Sequence, residues 1–399
     1  AQLPPAIISM PSNKPVIFMI SSDRTLVGGA ALGDAVLRHA AYGNYAESID
    51  ILVYTKRGSG LGEYQIASNV RAHPSNSRSK LLFFFDALRM FKNIQKERRI
   101  DLIVAQDPFI FGLIGLWLKK KYGVKLEINF HGDFWENESW LRERFINRFL
   151  LWLSYFTAPR ADILRAVSVV IRDKLLRRGI TKSKIAVIPT PVNEAQLEIF
   201  DSVKVAEIKN RYAGKKLILF AGRLHCVKNL PFLLEAFALV RKSYSDVVLI
   251  VAGDGPERLN LEQKIKEPGL YDMVFLLGLL DHKDLINYYH AVDLLVLPSL
   301  SEGMPKVLVE GGFCGLPVIA TNFPSAAQVI KDGENGFIVP MNDKEKLAER
   351  ILFLLKNDDA RRKMGEANRA FMKENFSKGP ERLGELWRAI VFETLNPKP

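Results

Sequence analysis

The feature that most constrains the fold is an alternation of short apolar runs with longer helix-type segments, which occurs in two series along the chain. The first series begins at residues 15–20, and the second starts afresh at residues 216–220. Alternating strands and helices form parallel βαβ units, because a parallel neighbour is reached only through a crossover connection. The sequence therefore predicts an α/β protein with two similar halves.

Length and composition agree with this organisation. With 399 residues, 48% of them hydrophobic, the chain can bury the cores of two or three domains. Its two cysteines, Cys226 and Cys314, supply neither a disulfide framework nor a zinc ligand set, and they fit a reducing compartment. The apolar runs fall short of the roughly 20 residues that span a bilayer, and no signal-peptide pattern opens the sequence. We therefore expect a cytoplasmic protein.

The net positive charge lies entirely in the first half. Residues 1–190 hold 28 Lys and Arg against 16 Asp and Glu, whereas the remaining residues hold 28 of each. A basic half indicates an anionic substrate or surface, and charge alone leaves lipid head groups and nucleic acid both open.

Residues 299–315 predict a strand–loop–helix junction with a binding site. The apolar strand 294–297 ends in a polar turn, and a helix is predicted from about Pro305. The first amides of such a helix suit a phosphate, and here they are those of Lys306, Val307 and Leu308. Glu302 in the loop and Glu310 in the second helical turn only accept hydrogen bonds when ionised, so they indicate a ligand rich in hydroxyls. A sugar nucleotide has both a diphosphate and many hydroxyls.

A second constellation follows the strand that opens the second half. Arg223 and Lys228 stand five residues apart in a loop before a helix, where a guanidinium fork and an ammonium can clasp a diphosphate from two sides. In the first half, His131 follows the strand 125–129, at the strand end where open α/β sheets bind ligands. The glycine pair at residues 28–29 does not read as a dinucleotide fingerprint, because about seven residues separate it from the preceding strand.

These motifs resemble the retaining glycosyltransferases of family 4. The resemblance is carried by two glutamates seven residues apart, by Gly303 after the first, by Cys-Gly-Leu-Pro-Val at 314–318 after the second, and by the Gly-Arg-Leu…Lys-Asn pattern at 222–229. It implies the GT-B fold, with two Rossmann-like domains whose parallel sheets face a central cleft and a C-terminal helix that crosses back. We expect an acceptor-side domain at 1–190, a donor-binding domain at 191–378 and the returning helix at 379–399.

The resemblance also implies roles for individual residues. Glu302 would hold the hexose hydroxyls and Glu310 the ribose, while Arg223 and Lys228 would bind the diphosphate. The implied catalytic residues are Glu302, His131, Arg223 and Lys228. The implied donor-binding residues are Gly28, Gly29, Arg223, Lys228, Gly255, Glu302, Gly303, Met304, Val307, Leu308 and Glu310. The chain departs from the family pattern at 190–193 and at 324–328, so we assign no role to either segment.

The predicted reaction is metal-independent transfer of a hexose from a UDP- or GDP-sugar, with retained anomeric configuration. No Asp-x-Asp pair is present to chelate a cation on a diphosphate. The positive charge would therefore come from Arg223, Lys228 and the helix amides. The acceptor is a hydroxyl, and no cofactor is expected. The alternatives are a phosphorylase or epimerase on the same fold, and a non-catalytic module that binds a polyanion or a membrane; we expect no nucleic-acid partner.

The segment 140–156 allows two interpretations. Wound as one helix, it places Leu141, Phe145, Phe149, Trp152 and Phe156 on one side and charged residues opposite. We favour a helix that faces the core. The alternative is a basic, aromatic helix at an anionic membrane surface, on the inner face of the plasma membrane, where a lipid-linked acceptor would be found.

Overall fold

The computed structural model describes residues 14–28, 34–80, 82–267 and 269–392, and it contains the two predicted sheets. The strands of the first sheet are β1 Val16–Ser21, β2 Ser48–Val53, β3 Tyr64–Ala67, β4 Val70–Pro74, β5 Leu102–Ala105, β6 Lys125–Phe130, β7 Ile163–Ala166 and β8 Ile185–Val187. The helices of this half are α1 Thr25–Gly28, α2 Ala35–Tyr42, α3 Phe83–Glu97, α4 Ile110–Tyr122, α5 Glu138–Glu143, α6 Ile146–Thr157 and α7 Val169–Arg177.

The first sheet runs in the order β3-β4-β2-β1-β5-β6-β7-β8, and its two middle strands contain continuous apolar runs, at residues 16–20 in β1 and over the whole of β5. Such uninterrupted apolar strands are expected where helices cover both faces of a parallel sheet. Among the strands that the structure describes in this sheet, only β3 and β4 pair antiparallel. We did not predict this hairpin, because the half-buried β3 carries no continuous apolar run.

The second half contains six strands, β9 Lys216–Ala221, β10 Val247–Ala252, β11 Val274–Gly278, β12 Leu294–Leu297, β13 Val318–Thr321 and β14 Gly336–Val339. They form a fully parallel sheet in the order β11-β10-β9-β12-β13-β14. The helices are α8 Glu194–Leu197, α9 Ser202–Arg211, α10 Leu230–Ser243, α11 Arg258–Ile265, α12 His282–Ala291, α13 Lys306–Phe313, α14 Lys344–Lys356, α15 Asp358–Phe376 and α16 Gly379–Phe392. The fold is thus the two-sheet α/β architecture that we predicted.

Helix α16 leaves the second half and packs on the first, as predicted. Leu383, Trp387 and Ile390 are buried in a cluster with the side chains of β1 and β2. The indole Nε1 of Trp387 donates to a carboxylate oxygen of Glu127 on β6, 3.0 Å away. Burial of these large apolar side chains fixes the C-terminal helix to the first domain.

The two chain segments that cross between the halves touch each other. A Cβ atom placed on Gly379, the first residue of α16, would lie 2.9 Å from the Cβ atom of Pro191. Pro191 belongs to the segment that joins β8 to α8. The outward and return crossings therefore meet at one place in the molecule.

Two helix predictions were wrong in their extent. The polar residues 21–26 and the glycine pair after them predict a loop that leads into a helix through Ala41, whereas in the structure Thr25–Gly28 already form the short α1 and the next helix begins at Ala35; Gly29 lies outside the described residues. The helix expected over 140–156 is broken into α5 and α6, because Arg144 is extended and the side-chain amide of Asn147 donates to the carbonyl of Trp140. A side chain that donates to a helix carbonyl competes with the backbone amide that would continue the helix, and the helix ends there.

The break leaves the aromatic side of α6 exposed. Phe145 is 88% exposed and Trp152 is 60% exposed, so our favoured interpretation of a core-facing helix was wrong. Within the described ranges, no helix combines the length and apolarity needed to cross a bilayer.

Glu127 should make the stability of the protein depend on pH. Its carboxyl is fully buried, and burial raises its pKa to about 7, against the lowering effects of Arg165 and the Trp387 hydrogen bond. Because the folded-state pKa lies above the unfolded value, the carboxyl contributes its full stability below about pH 4.5 and loses it as the pH rises through 7. We expect Glu127→Gln to raise the free energy of unfolding at pH 8 by about 1–3 kcal/mol and to change it little at pH 5.

Chemical denaturation at pH 5 and pH 8 measures this difference. The exposed Glu374 is the matched control, and Glu374→Gln should leave the wild-type pH dependence intact. An equal effect of Glu127→Gln at both pH values would show that Glu127 does not titrate in this range.

Candidate active site

The site residues that we predicted lie at the carboxyl ends of strands from both sheets. His131 follows β6 of the first sheet, whereas Arg223 follows β9 and Glu302 follows β12 of the second. In open parallel sheets these strand ends form the ligand-binding crevice. The two crevices face each other, because residues of the Glu302 loop contact residues of the His131 loop.

Gly303 and His131 bring the backbones of the two domains close together. A Cβ atom on Gly303 would overlap the backbone carbonyl oxygen of His131. Its neighbour Met304 packs against the apolar cores of both domains. Only glycine allows this backbone approach, which explains why this glycine follows the first glutamate.

The carboxylate of Glu302 is held by two hydrogen-bond donors. The Lys228 ammonium and the Ser299 hydroxyl, the latter at 2.6 Å, both donate to Oε1. Ser325 donates to the backbone carbonyl of Glu302 at 2.9 Å, so the segment after β13 supports this loop. In this arrangement Lys228 and Glu302 neutralise each other, and a ligand that carries both phosphate and hydroxyl groups would find a partner in each.

Arg223 and Lys228 line one side of a cleft of about 520 Å³ between the domains. The opposite side comes from α5 and the start of α6, with Trp140, Arg144 and Asn147. Arg223 is exposed, and its guanidinium is free to turn towards an anion. The structure thus brings together the two cations that the loop spacing predicted, and it adds a wall from the first domain.

Glu310 is almost completely buried, and both of its carboxylate oxygens accept hydrogen bonds. One carboxylate oxygen accepts from His282 Nε2 and from Lys306 Nζ, each at 3.0 Å, and the other accepts from the Tyr289 hydroxyl at 2.9 Å. Burial alone would raise the pKa of Glu310, but the Lys306 charge and the His282 hydrogen bond lower it to about 2. Glu310 is therefore ionised at any physiological pH.

His131 lies where the two domains meet, and its ring is neutral. Burial lowers its pKa, with a further contribution from the positive charge of Arg165, although the residue remains exposed to solvent. Its Nε2 lies 2.6 Å from the side-chain oxygen of Gln106, which also accepts from Asn129. The amide oxygen only accepts, so Nε2 carries the proton and Nδ1 is left as an acceptor.

Gly255 belongs to a pair of interlocked loops at the ends of β9 and β10. A Cβ atom on Gly255 would overlap the carbonyl of Leu224, and one on Gly253 would overlap the carbonyl of Gly222. These loops therefore approach each other backbone to backbone. The predicted contact of Gly255 with the donor stays a prediction.

One predicted feature differs in the structure, and another stays untested. Of the three helix amides expected to be available, that of Lys306 donates to the Met304 carbonyl and that of Leu308 to the Pro305 carbonyl, because the chain turns tightly into α13. Val307 is the remaining candidate among the three. Gly28 ends α1 beside Leu61 of its own domain, and Gly29 lies outside the described residues. The prediction that these two glycines contact the donor is therefore untested.

Sequence reasoning missed several polar residues around the site. Asp34, at the start of α2, contacts Lys306 across the cleft, and Gln328 accepts from the backbone amide of Val169 at 3.0 Å. These contacts join residues more than 150 positions apart. One local feature of the sequence indicates part of this polar network. The four-residue spacing of Lys306 and Glu310 places both on the same side of a helix, where they can pair.

We expect Gly303→Ala to hold the domains apart without unfolding them. The added methyl group meets the His131 carbonyl across the cleft, whereas the core of each domain is unchanged. The radius of gyration from small-angle scattering should increase, while the melting temperature stays within about 2 °C of wild type. Gly62→Ala is the matched control, because nothing lies within 4 Å of the methyl group that it adds, and it should leave both quantities unchanged. An unchanged radius for Gly303→Ala would show that the contact does not control the opening.

Comparison with known proteins agrees with this geometry. The family model for glycosyl transferases group 1 matches residues 203–371, and that for glycosyltransferase family 4 matches residues 44–196. The chain is 27% identical over 246 residues to alpha-monoglucosyldiacylglycerol synthase of Streptococcus pneumoniae, covering 60% of this chain and 56% of that protein.

Solved structures show the same fold. Sucrose-phosphate synthase from Thermosynechococcus elongatus superposes with a TM-score of 0.80 at 21% identity, covering 94% of this chain and 99% of that one. HepE of Anabaena, in complex with UDP-glucose, superposes with a TM-score of 0.74 at 19% identity, covering 93% and 98%. The two family models match both halves and the structures match nearly the whole chain, so the protein is a GT-B glycosyltransferase of the family 4 type.

Proposed function

We propose that this glycosyltransferase moves a hexose from a nucleoside diphosphate sugar to the hydroxyl of a lipid-linked acceptor, with retention of configuration and without a metal ion. The observation that carries the proposal is the Lys228–Glu302 pair beside Arg223. It offers a cation for a diphosphate and a carboxylate for hydroxyls at one point of the cleft. HepE, with the same fold, is known in complex with UDP-glucose, which supports a donor of this class.

The leaving group would be stabilised by fixed positive charge. As the glycosidic bond breaks, negative charge develops on the diphosphate, and Arg223 and Lys228 lie where they can receive it. Within the described residues, no cluster of three or more His, Cys, Asp or Glu side chains has the arrangement of a metal site.

The sugar would be oriented from both domains. Lys228 would turn from Glu302 to the phosphate, which frees that carboxylate to accept from hexose hydroxyls. On the other side, the neutral His131 ring would accept from a hydroxyl through Nδ1. We assign no carboxylate among the described residues as a nucleophile, and we propose a front-face substitution in which the leaving phosphate takes the acceptor proton. Closure of the cleft would exclude the water that hydrolyses the donor.

The reaction can be tested with UDP-, GDP- and ADP-hexoses and hydroxyl acceptors in the presence of EDTA. We expect transfer to proceed in EDTA, and nuclear magnetic resonance should show the same anomeric configuration in product and donor. Arg223→Ala should lower kcat/KM for the donor at least tenfold, a loss of about 1.4 kcal/mol or more. The exposed Arg211 of α9 is the matched control, and Arg211→Ala should retain wild-type activity.

Each part of the proposal has its own contradicting result. Activity that EDTA abolishes and Mg²⁺ restores would refute the metal-free mechanism, and an inverted product would refute retention. Release of free phosphate from a sugar 1-phosphate would identify a phosphorylase instead.

The lipid-linked acceptor is supported by an exposed aromatic surface on the first domain. We call it the aromatic platform, and it consists of Phe85 on α3, Ile110 and Trp117 on α4, and Phe145, Ile146, Phe149, Trp152 and Phe156 at and along α6. Helices α4 and α6 pack together, with Gly112 beside Thr157. Monomeric soluble proteins rarely expose so many large apolar side chains side by side.

Charge favours an anionic membrane as the partner of the aromatic platform. Neither α4 nor α6 contains an acidic residue. Lys121 lies over the ring of Trp117 at 4.6 Å, and Arg160 over the ring of Phe156 at 4.1 Å, so cations border the aromatic rings. Aromatic rings bordered by Lys and Arg suit the interfacial region of a bilayer, and anionic lipids favour the inner face of the plasma membrane.

The platform also ends at the cleft. Phe145 and Ile146 lie between Arg144 and Asn147, which line the cleft opposite Arg223. A lipid anchored in the bilayer could present its polar head there. One relative, alpha-monoglucosyldiacylglycerol synthase, is named for a lipid product, which supports an acceptor of this kind.

We expect the protein to float with vesicles of phosphatidylcholine and phosphatidylglycerol, and much less with phosphatidylcholine alone. Combined Phe149→Ser and Trp152→Ser should weaken binding at least tenfold, about 1.4 kcal/mol, because two large side chains no longer enter the interface. Leu259→Ser, which alters a side chain 71% exposed on the second domain, is the matched control. Equal flotation of all three proteins would refute the membrane role of the platform.

A further inference from the structure

Lys306 connects the two domains through a single ammonium group. Its Nζ lies 2.5 Å from Oδ1 of Asp34 in the first domain and 3.0 Å from Oε1 of Glu310 in the second. Arg38 also donates to Oδ1 of Asp34, at 2.9 Å, and thereby fixes that carboxylate. Both carboxylates are buried, so solvent screens these charges weakly. Of the contacts across the cleft described above, this one is ionic, whereas those of Gly303 and Gln328 are not.

The contacts of Glu310 leave little room for another ligand. Ionised, the carboxylate offers about four acceptor positions, and His282, Tyr289 and Lys306 fill three of them. The diol of a ribose brings two hydroxyl donors. It can bind this carboxylate through both only if one present donor leaves.

Lys306 is the donor that can leave. The rings of His282 and Tyr289 are buried at 7% and 1% exposure in the packed interior of the second domain. The Lys306 side chain is 26% exposed, and its ammonium is carried on a flexible four-carbon chain. It already has a second carboxylate partner in Asp34. Withdrawal from Glu310 therefore costs Lys306 one of two partners and leaves its charge paired.

We propose that Lys306 couples donor binding to closure of the two domains. This inference rests on the proposed function, because it requires a nucleoside diphosphate sugar as donor, with Glu310 at its ribose as the family resemblance implies. In the unliganded protein the ammonium occupies an acceptor position of Glu310. The arriving ribose displaces it, and Lys306 then pairs with Asp34 alone, so the ion pair across the cleft strengthens when the donor is bound. Lys306 is thus a positioning residue, and Asp34 is its partner.

Asp34→Asn tests the coupling. The variant removes the charged partner in the first domain and leaves the Lys306–Glu310 pair in place, so displacement of Lys306 has no compensating partner. We expect UDP affinity, measured by calorimetry, to fall about fivefold or more. Simple electrostatics predicts the opposite sign, because removal of a carboxylate near a diphosphate favours binding. A fall in affinity therefore distinguishes coupling from a change in local charge.

Closure itself can be measured between spin labels at Lys92→Cys on α3 and Lys363→Cys on α15, both exposed positions. Cys226 is exposed and is replaced by Ser, whereas burial raises the pKa of the Cys314 thiol to about 12 and makes it unreactive. UDP should shorten the label distance in the otherwise wild-type protein. It should not do so in Asp34→Asn or in Lys306→Met. Gln328→Ala, the matched control, loses an uncharged contact across the cleft and should still respond to UDP.

The outcomes separate this inference from the function on which it rests. If UDP closed the Asp34→Asn variant as it closes the wild-type protein, and bound it with undiminished affinity, the coupling would be overturned. The glycosyltransferase proposal would still stand. If UDP, GDP and ADP all failed to bind the wild-type protein, both proposals would fall. Loss of the response in Gln328→Ala as well would show that any weakened interface has this effect, and would also overturn the role of Lys306.

Discussion

The close approach of the Gly303 backbone to the His131 carbonyl is the contact on which the rest of the site depends. Each sheet alone ends in a row of loops, and neither row by itself encloses a cleft from two sides. The missing Cβ atom lets the two rows meet. The cleft that holds Arg223 and Lys228 then gains its second wall from α5 and α6. One glycine therefore decides whether the two halves form one site.

The features that the sequence predicts well are those with local causes. An apolar run followed by a turn and a capped helix defines a strand end, and strand ends meet at one edge of a parallel sheet. For this reason both sheets, the return of α16 and the positions of His131, Arg223 and Glu302 at strand ends could be predicted. The close contact of Lys228 with Glu302 follows from the same rule, because β9 and β12 are neighbours in the sheet.

The features that escaped prediction depend on partners distant in sequence. Nothing near Asp34 indicates that its carboxylate meets Lys306, and nothing near Gln328 indicates that its side chain meets the amide of Val169. The same limit explains the error at α6, where an amphipathic pattern shows that a helix has an apolar side but not what covers it. The break at Arg144 was also invisible, because it depends on which carbonyl the Asn147 side chain finds in three dimensions.

The meeting of Pro191 and Gly379 has a mechanical consequence. Two connections at widely separated points would resist rotation of one domain relative to the other. Two connections at one point form a pivot about which the domains can rotate. Relative movement of the halves is then a rotation about that point, and displacement grows with distance from it. A few degrees at the pivot, too small to disturb the burial of Trp387, translate into ångströms at the far rim of the cleft. The molecule can thus open widely for a ligand while its hinge barely changes conformation.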